Sequence, residues 1–413
     1  MRLNVYLSSE FVGDLVSDER ERLTFTYNAH ALANAERCQL SVRLPVREEP
    51  FDDRDSAPFF ENLLPEAETR NLLALSERFD PSETVRLLGS IGGECAGAVS
   101  LWPEDHSPPA EDEYSELSAE SVRRLFDEAQ EGTDQYLRAH IQGRQSMSGA
   151  QDKLVFLKKG GSYYLPLNGA ASTVLVKKER ARFPGLLQNE LACLRLMNST
   201  GVPTVESGVC SLAPELFETQ RYDRVEQGED SISRVHQEDF CQASGRRPTQ
   251  KYEPDGGPGL ADMKEIIRKH SVFPLEDLDY LLRWAVCNGL IGNNDGHAKN
   301  LSLLYKPDGL RLAPAYDVVC TEAYAFLDKK LAISLGGRTN VAALDRAAID
   351  KLARSLDQSS RAITAVLRDV AESLRGSITE VMEQVADLAG HHEVLGVVAD
   401  LVTQRCRAVL ERL

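Results

Sequence analysis

The stretch Gly292-Asn293-Asn294-Asp295-Gly296-His297-Ala298-Lys299-Asn300 decides the interpretation of this sequence. It follows directly on an apolar stretch, residues 275–290, which we predict to be a buried helix. Helices of this kind usually end at one Gly or Asn and then turn to solvent. An unbroken run of polar and small residues at this place therefore indicates a functional loop, with an ordinary helix end as the alternative.

The spacing of the polar residues narrows the interpretation. Asp295 and Asn300 are separated as in the Asp-x-x-x-x-Asn catalytic loop of protein kinases, although this spacing alone is weak evidence. Downstream, residues 303–305 and 310–312 predict a β-hairpin that leads to Asp317. Phosphoryl transfer needs a carboxylate beside the attacking hydroxyl and oxygen ligands for Mg²⁺. We predict that Asp317 is a second metal carboxylate; taken alone it is equally well a turn residue.

Residues upstream of this loop also fit phosphoryl transfer, but their patterns are less specific for it. Lys177 ends a predicted strand and is a candidate for the lysine that binds the α- and β-phosphates, with an exposed strand-end lysine as the alternative. Glu190 opens the following helix as its candidate partner. The small residues of the segment 145–153 suit a loop whose N–H groups approach phosphate, although it has neither Walker A nor G-x-G-x-x-G spacing and is otherwise a plain turn. The glycines of the segment 92–97 lack a βαβ context, so we interpret them as a structural turn.

Composition bounds the class of protein. The 413 residues carry a net charge of −17, which argues against nucleic acid as the main direct ligand and suits a basic partner. The eight cysteines form no CxxC pair, so we expect reduced thiols that serve as small core residues. We find no signal peptide at the N-terminus and no apolar window of the roughly 20 residues that a membrane helix needs. We therefore expect a cytoplasmic protein that does not bind membranes.

Periodicity divides the chain into segments of different character. We predict an N-terminal α+β unit at 1–102, a Pro- and acid-rich linker at 103–116, a β-rich lobe at 117–225 and an α-rich lobe at 226–413. In the first unit, we expect a helical stretch to start at Phe59. In the last, we expect Gly376 and Gly390 to break the helices.

The chain resembles the HipA-type serine/threonine kinases, which are the toxins of bacterial toxin–antitoxin pairs. The resemblance rests on the following segments in this order: residues 59–65 FFENLLP, 146–153 SMSGAQDK, 235–242 VHQEDFCQ, 251–259 KYEPDGGPG, 294–300 NDGHAKN and 316–317 YD. It extends from residue 1 to about 335. It implies an α+β fold class: a protein-kinase-like two-lobe fold with an extra N-terminal α+β subdomain and an all-α C-terminal lobe.

The resemblance also implies roles for individual residues. Asp295 resembles the catalytic base, and Asn300 and Asp317 resemble the Mg²⁺ ligands. The residues that resemble the ATP-binding set are Ser148, Gly149, Ala150, Gln151, Asp152 and Lys153 of the phosphate loop, the ATP lysine Lys177, the adenine hinge Gln220, Arg221 and Tyr222, Asp223 near the ribose, and His297 and Lys299 near the phosphates. The family usually has Glu where Gln220 stands, but contacts through the hinge backbone would survive this change. ATP and Mg²⁺ are the implied cofactors.

Regulation and partners follow from the same resemblance. Ser146 resembles the serine that family members autophosphorylate, and Ser148 is a second candidate because it replaces a common Ala. The implied partner is a small HipB-like helix-turn-helix antitoxin, through which the complex contacts operator DNA. The implied protein substrate is an aminoacyl-tRNA synthetase, with glutamyl-tRNA synthetase as the first expectation. The alternatives are a small-molecule kinase of the aminoglycoside-phosphotransferase kind and a catalytically silent corepressor.

Overall fold

The computed structural model describes residues 1–131, 134–147, 153–228 and 231–413. The α-helices are α1 Ala29–Ala33, α2 Ala35–Cys38, α3 Asp53–Glu61, α4 Ala67–Ser76, α5 Thr84–Ile91, α6 Ala119–Glu131, α7 Asp134–Gln142, α8 Leu186–Ser199, α9 Phe240–Ser244, α10 Leu260–His270, α11 Pro274–Ile291, α12 Arg346–Ser355, α13 Ser360–Ala389 and α14 Glu393–Leu410. The strands are β1 Arg2–Leu7, β2 Glu10–Ser17, β3 Leu23–Tyr27, β4 Glu94–Cys95, β5 Val99–Pro103, β6 Glu113–Leu117, β7 Gln145–Ser146, β8 Lys153–Lys159, β9 Ser162–Leu167, β10 Val174–Lys177, β11 Ser207–Cys210, β12 Ala213–Gln220, β13 Arg224–Gln227, β14 Ser231–Arg234, β15 Gln237–Asp239, β16 Ser302–Lys306 and β17 Gly309–Leu312.

The chain forms two compact units. The first contains Met1–Lys178, Cys210–Pro248 and Leu304–Lys306, and the second contains Glu179–Val209, Thr249–Leu303 and Pro307–Leu413. This division differs from the predicted domain boundaries, because α8 groups with the helices and the chain after residue 225 remains in the first unit as far as Pro248. The chain thus passes between the units several times, which a segment-by-segment interpretation does not detect.

The first unit is built on β-sheet. Strands in the order β3-β2-β1-β5 form its N-terminal sheet, and a second sheet contains the order β12-β10-β8-β9-β6. Alternate residues of β1, among them Leu3 and Val5, are buried under α5, as expected for strands with one face on the core. The short strands β4 and β7 pair in parallel and join the N-terminal part to the segment just before the predicted phosphate loop.

The second unit is helical. The helix α13, 30 residues long, packs on α8, α11, α12 and α14, and its buried residues recur at the spacing of one helix face, from Ile363 to Val385. The helix α11 is buried over its C-terminal half and is the element that leads into the stretch 292–300. A buried ion pair between Arg405 and Glu322 fixes α14 beside the segment that follows Asp317.

Most predicted elements are present. The β8–β9 hairpin, the strands β3, β10, β16 and β17, and the helix over 275–290 are confirmed. The start of a helix at Phe59 is wrong, because α3 begins at Asp53, where Asp52 caps it, and Phe59 lies near its end. The predicted linker at 103–116 overlaps β6, which pairs with β9. A break at Gly376 is also wrong, because α13 continues through it, whereas α13 does end at Gly390.

All eight cysteines lie in the described residues, and each is buried and forms no disulfide, as the sequence predicts. In the part of the chain that the structure describes, no helix is both long enough and apolar enough to cross a membrane. The burial of these cysteines bears out their predicted use as small core residues.

Candidate active site

The stretch 292–300 leaves the buried helix α11 at Gly292, whose φ of +85° is a conformation that favours glycine. The Asn293 side chain then donates to Asn288 Oδ1 at 2.8 Å, and its Oδ1 accepts from the Asp295 N–H at 3.2 Å. The Asn294 N–H donates to Thr321 Oγ1 at 2.9 Å. These bonds hold the loop in one conformation at the end of a rigid helix, as a preorganised site requires.

Asp295 is the exposed member of this otherwise buried loop. Its side chain is 52% exposed, whereas that of His297 is 6% exposed. Tyr252 donates its hydroxyl to Asp295 Oδ1 at 2.5 Å, and His297 Nε2 lies 3.9 Å from the same oxygen. The Tyr252 and His297 rings meet edge to face, with centroids 5.1 Å apart. The loop therefore presents the Asp295 carboxylate to solvent, and the hydrogen bond from Tyr252 fixes the orientation of this carboxylate.

Asn300 and Asp317 are linked through their neighbours. The Asn300 side chain donates from Nδ2 to the main-chain oxygen of Asp295 at 3.1 Å. Tyr316 donates its hydroxyl to the main-chain oxygen of Lys299 at 2.7 Å, so the residue before Asp317 is tied to the residue before Asn300. Asp317 itself has a φ of +56°. Such a conformation costs on the order of 1–3 kcal/mol in a residue other than glycine and is typical of functional sites.

The donor atoms of this segment fit Mg²⁺. The bond from Asn300 Nδ2 leaves its Oδ1 as a ligand atom, and Asp317 supplies a carboxylate from a chain segment fixed to the same loop. Mg²⁺ prefers carboxylate, amide and water oxygens, and it is usually bound by one or two protein carboxylates together with substrate phosphates. Asn300 and Asp317 are thus a suitable ligand pair.

The first unit carries the lysines predicted to bind phosphate. Lys153 and Lys177 are directly opposite each other on the antiparallel strands β8 and β10, so both side chains leave the same face of the sheet. The predicted phosphate-loop residues Ser148, Gly149, Ala150, Gln151 and Asp152 lie outside the described residues. Ser146, just before them, is fully buried and donates from Oγ to the Leu63 oxygen at 2.8 Å.

The predicted adenine hinge follows β12. Gln220 is the last residue of that strand, and the Arg221 N–H donates to the Thr173 oxygen at 2.9 Å. The side chains of Arg221 and Asp223 point into the protein: Arg221 Nη2 lies 2.8 Å from Asp223 Oδ2, and the Gly97 N–H donates to the same oxygen at 2.7 Å. The Arg221 N–H, the Arg221 side chain and the Asp223 carboxylate are therefore all engaged by partners within the protein.

An internal ion network supports this hinge. Glu94 is fully buried, and Arg221, Arg224 and Arg234 each lie within 3.0 Å of its carboxylate. Burial alone would raise the pKa of Glu94, but the three guanidinium groups hold this pKa below its usual range. Arg221 and Arg224 likewise hold the pKa of Asp223 well below its usual range despite burial. Both carboxylates are therefore ionised, and the network fixes the segment 221–224 against β4.

Sequence reasoning missed two residues at these sites. Tyr252, in the stretch 251–259, orients Asp295, but no spacing rule links a tyrosine to a carboxylate 43 positions away. Gln237 donates from Nε2 to Asp223 Oδ2 at 3.1 Å and accepts from the Tyr222 hydroxyl. Both residues lie in segments that carried the family resemblance, so the resemblance was the available signal. Glu190, the expected partner of Lys177, is buried in α8 of the second unit, and its pairing with Lys177 stays a prediction.

Comparisons with known proteins identify the family of the chain. Residues 3–102 match the family model of the HipA N-terminal domain, and residues 145–378 match that of the HipA-like C-terminal domain. The chain is 34% identical to a Sinorhizobium fredii protein named "Putative kinase Y4mE" over 98% of both chains. It is 30% identical to the serine/threonine-protein kinase toxin HipA of Shewanella oneidensis over 67% of this chain and 66% of that protein.

A solved structure shares the fold. The Shewanella oneidensis HipA, determined in a complex with HipB and its operator DNA, superposes with a TM-score of 0.84 over 99% of this chain and 97% of that one, at 22% identity. The fold of this chain is thus that of HipA. The chain belongs to the HipA family of kinase toxins.

Proposed function

We propose that this chain is an ATP- and Mg²⁺-dependent serine/threonine protein kinase and the toxin of a toxin–antitoxin pair. The observation that carries the proposal is the exposed Asp295 carboxylate, which is held by Tyr252 in a loop whose other polar side chains are buried. A structural aspartate at a helix end does not need to be both exposed and held by a hydrogen bond. A general base needs both, because it must be accessible to its substrate and fixed in direction.

In this proposal, Asp295 accepts the proton of a serine or threonine hydroxyl as that oxygen bonds to the γ-phosphorus of ATP, while the bond from this phosphorus to the β,γ-bridging oxygen breaks and ADP leaves. Tyr252 donates to one carboxylate oxygen and so fixes the direction in which Asp295 accepts the proton. ATP with Mg²⁺ supplies the transferred phosphoryl group and the neutralising charge. Asn300 and Asp317 hold the metal, and Lys153 and Lys177, on one face of the sheet, bind the phosphates.

The hinge residues bind the nucleoside in this proposal. The backbone of Gln220, Arg221 and Tyr222 holds adenine, which is consistent with the inward direction of the Arg221 side chain. His297 and Lys299, buried beside Asp295, lie near the phosphates. Asp223 and Gln237 are linked at the ribose end of the hinge. The segment from Ser148 to Asp152 completes the phosphate loop.

We propose further that Ser146 is the site of autophosphorylation. Its Oγ is buried and lies 2.8 Å from the Leu63 oxygen, so there is no space for a phosphate in this conformation. A phosphoserine adds a charge of about −1.5 to −2, which the nearby carbonyl would repel. Phosphorylation therefore requires the segment 145–147 to leave its place beside β4, and the displaced loop no longer binds ATP.

The Ser146→Ala variant tests this site. We expect it to lose most of the autophosphate while it still phosphorylates other proteins, because it removes the acceptor and leaves the catalytic loop unchanged. Mass spectrometry of the chain after incubation with ATP and Mg²⁺ measures the outcome. Phosphate mapped to Ser148 in the wild type would contradict the choice of serine.

The partners follow from the family. We propose a HipB-like antitoxin as the partner, with operator DNA contacted mainly through the antitoxin, since the chain carries a net charge of −17. The proposed substrate is an aminoacyl-tRNA synthetase, and glutamyl-tRNA synthetase is the first to test. Its phosphorylation would inhibit translation in the cytoplasm, arrest growth and favour persistence.

Phosphoproteomics of cells that express the wild type or the Asp295→Asn variant tests the function and the substrate together. We expect a synthetase to be phosphorylated in the first culture only, and growth arrest to disappear in the second. Phosphate on small molecules but on no protein would favour a small-molecule kinase. Growth arrest that persists in the variant without any new phosphoprotein would favour a silent corepressor.

A further inference from the structure

Three side chains of different chemistry meet beside the start of β2, an interior strand of the N-terminal sheet, far along the sequence from the stretch 292–300. Glu10 is the first residue of β2, His30 lies in α1, and Cys38 is the last residue of α2. Glu10 Oε2 lies 3.1 Å from His30 Nε2 and 3.6 Å from Cys38 Sγ, and the three atoms are all within 4.8 Å of one another. Among the described residues, this is the one group of three such side chains with this spacing.

The backbone around the group holds these side chains in place. Asn28 caps α1 by accepting from the Ala31 N–H at 2.8 Å, and it donates to the Phe11 oxygen at 2.7 Å, next to Glu10. The Cys38 side chain is fully buried, whereas Glu10 and His30 are each about half exposed. The group thus has a fixed, buried sulfur at its base and an opening to solvent above it.

The separations of the donor atoms suit a tetrahedral zinc ion. Zinc bonds of about 2.0–2.3 Å to N, O and S place tetrahedral donor atoms roughly 3.3–3.6 Å apart. The N···O and S···O distances here are 3.1 and 3.6 Å, close to these values, and the N···S distance is within 4.8 Å. A thiolate and an imidazole favour zinc over Mg²⁺ or Ca²⁺, which prefer oxygen ligands. The charges of a thiolate and a carboxylate also balance that of Zn²⁺.

We propose that Glu10, His30 and Cys38 form a zinc site in the N-terminal subdomain, with water as the fourth ligand. The ion would link β2 to α1 and α2, which contain five and four residues and are too short to be stable by themselves.

A similar pair elsewhere in the same unit provides a matched control. His106 Nδ1 lies 3.0 Å from Asp105 Oδ1, and both side chains are exposed. This pair has the imidazole and the carboxylate. Among the described residues, no third ligand side chain joins it at the spacing seen for Glu10, His30 and Cys38. A surface contact of this kind contributes little to stability and gives no reason to expect tight metal binding. His106→Gln therefore removes a histidine–carboxylate contact without changing the proposed site.

Metal binding to the full-length protein tests the proposal. Zn²⁺ affinity is measured by competition with a chromophoric chelator, and Co²⁺ replaces zinc to report thiolate ligation through a sulfur-to-cobalt charge-transfer band. We expect one tightly bound Zn²⁺ per chain and a Zn²⁺-dependent rise in Tm. His30→Gln and Cys38→Ser should each weaken binding by more than about 100-fold, since loss of an outer-shell partner alone costs 10- to 100-fold. His106→Gln should bind as the wild type does.

Two results would overturn the proposal. One is a wild-type chain that binds no stoichiometric Zn²⁺, and the other is tight binding that survives both His30→Gln and Cys38→Ser. The exposed His30→Gln variant keeps the test valid if Cys38→Ser fails to fold. These measurements do not depend on phosphoryl transfer, so the zinc site and the kinase function are tested independently.

Discussion

At the scale of single residues, two carboxylates behave differently because their surroundings differ. Asp295 is half exposed and accepts from the Tyr252 hydroxyl, as suits a group that meets a substrate. Glu238 is fully buried and accepts from Ser41 Oγ at 2.5 Å, the Val42 N–H at 2.9 Å and the Tyr305 hydroxyl at 2.5 Å. We propose that the first carboxylate serves the reaction, whereas the second joins the chain around residues 41–42 to the strand β15 within the first unit.

The Tyr252→Phe variant tests how much the orientation of Asp295 matters. We expect phosphoryl transfer to slow by about 10-fold or more, because a hydrogen bond to a charged group contributes roughly 1.5–3 kcal/mol. The KM for ATP should stay unchanged, since Tyr252 acts through Asp295. Tyr280→Phe is the matched control, because it also removes a tyrosine hydroxyl that donates a hydrogen bond, in this case to the main-chain oxygen of Ala313 at 2.7 Å. Equal rates for Tyr252→Phe and the wild type would exclude Tyr252 as a positioning residue.

Glu238 should make stability depend on pH. Burial raises its pKa to about 7 from 4.5, so the folded chain binds this proton more tightly than the unfolded chain does. The free energy of unfolding therefore falls as pH rises from about 4.5 to 7, by up to about 3 kcal/mol from this group, and levels off above. His236, whose pKa burial lowers to about 4, acts in the opposite direction below pH 6.5.

The Glu238→Gln variant isolates the contribution of Glu238, because both proteins retain His236. Urea denaturation between pH 5 and 8 gives the free energy of unfolding of each protein. We expect the free energy of unfolding of the wild type to fall relative to that of the variant as pH rises. A difference that does not change with pH would show that Glu238 does not titrate in this range.

At the scale of elements, the long helix α13 shows how tertiary packing overrides local preference. Gly376 lies inside α13, and a Cβ added there would meet nothing within 4 Å. Glycine lowers helix propensity, which is why the sequence predicts a break, but packing on α8, α11, α12 and α14 stabilises the continuous helix. Gly390 differs, because its φ of +80° ends the helix in a conformation that other residues rarely adopt.

The same substitution at these two glycines should have opposite effects. We expect Gly376→Ala to stabilise the chain by about 0.5–1 kcal/mol, because alanine loses less conformational freedom in the helix. Gly390→Ala should destabilise it by about 1–2 kcal/mol, because alanine is strained at positive φ. Thermal unfolding of the two variants and the wild type measures both changes. A loss of stability in Gly376→Ala would contradict a continuous, solvent-facing helix at this position.

At the scale of the whole molecule, the sequence predicts those features that residues close together in the chain determine. The strands β3, β8 and β9 and the stretch 292–300 are visible because alternation, turn residues and motif spacing are local. The ion network of Glu94 was missed, because Arg221, Arg224 and Arg234 lie more than 120 positions away and no spacing rule links them to a glutamate. The placement of residues 179–209 in the second unit, and of residues 226–248 and 304–306 in the first, likewise depends on contacts between residues distant in sequence.

The central claim is that this HipA-family chain transfers phosphate with Asp295 as its base. The most direct test is the rate of phosphate transfer from labelled ATP by purified wild type, Asp295→Asn and the control Asp308→Asn, which changes a partly buried aspartate in the turn between β16 and β17. We predict a loss of about 10²- to 10⁴-fold for Asp295→Asn only, with its ATP affinity retained. Equal transfer by Asp295→Asn and the wild type would contradict the claim.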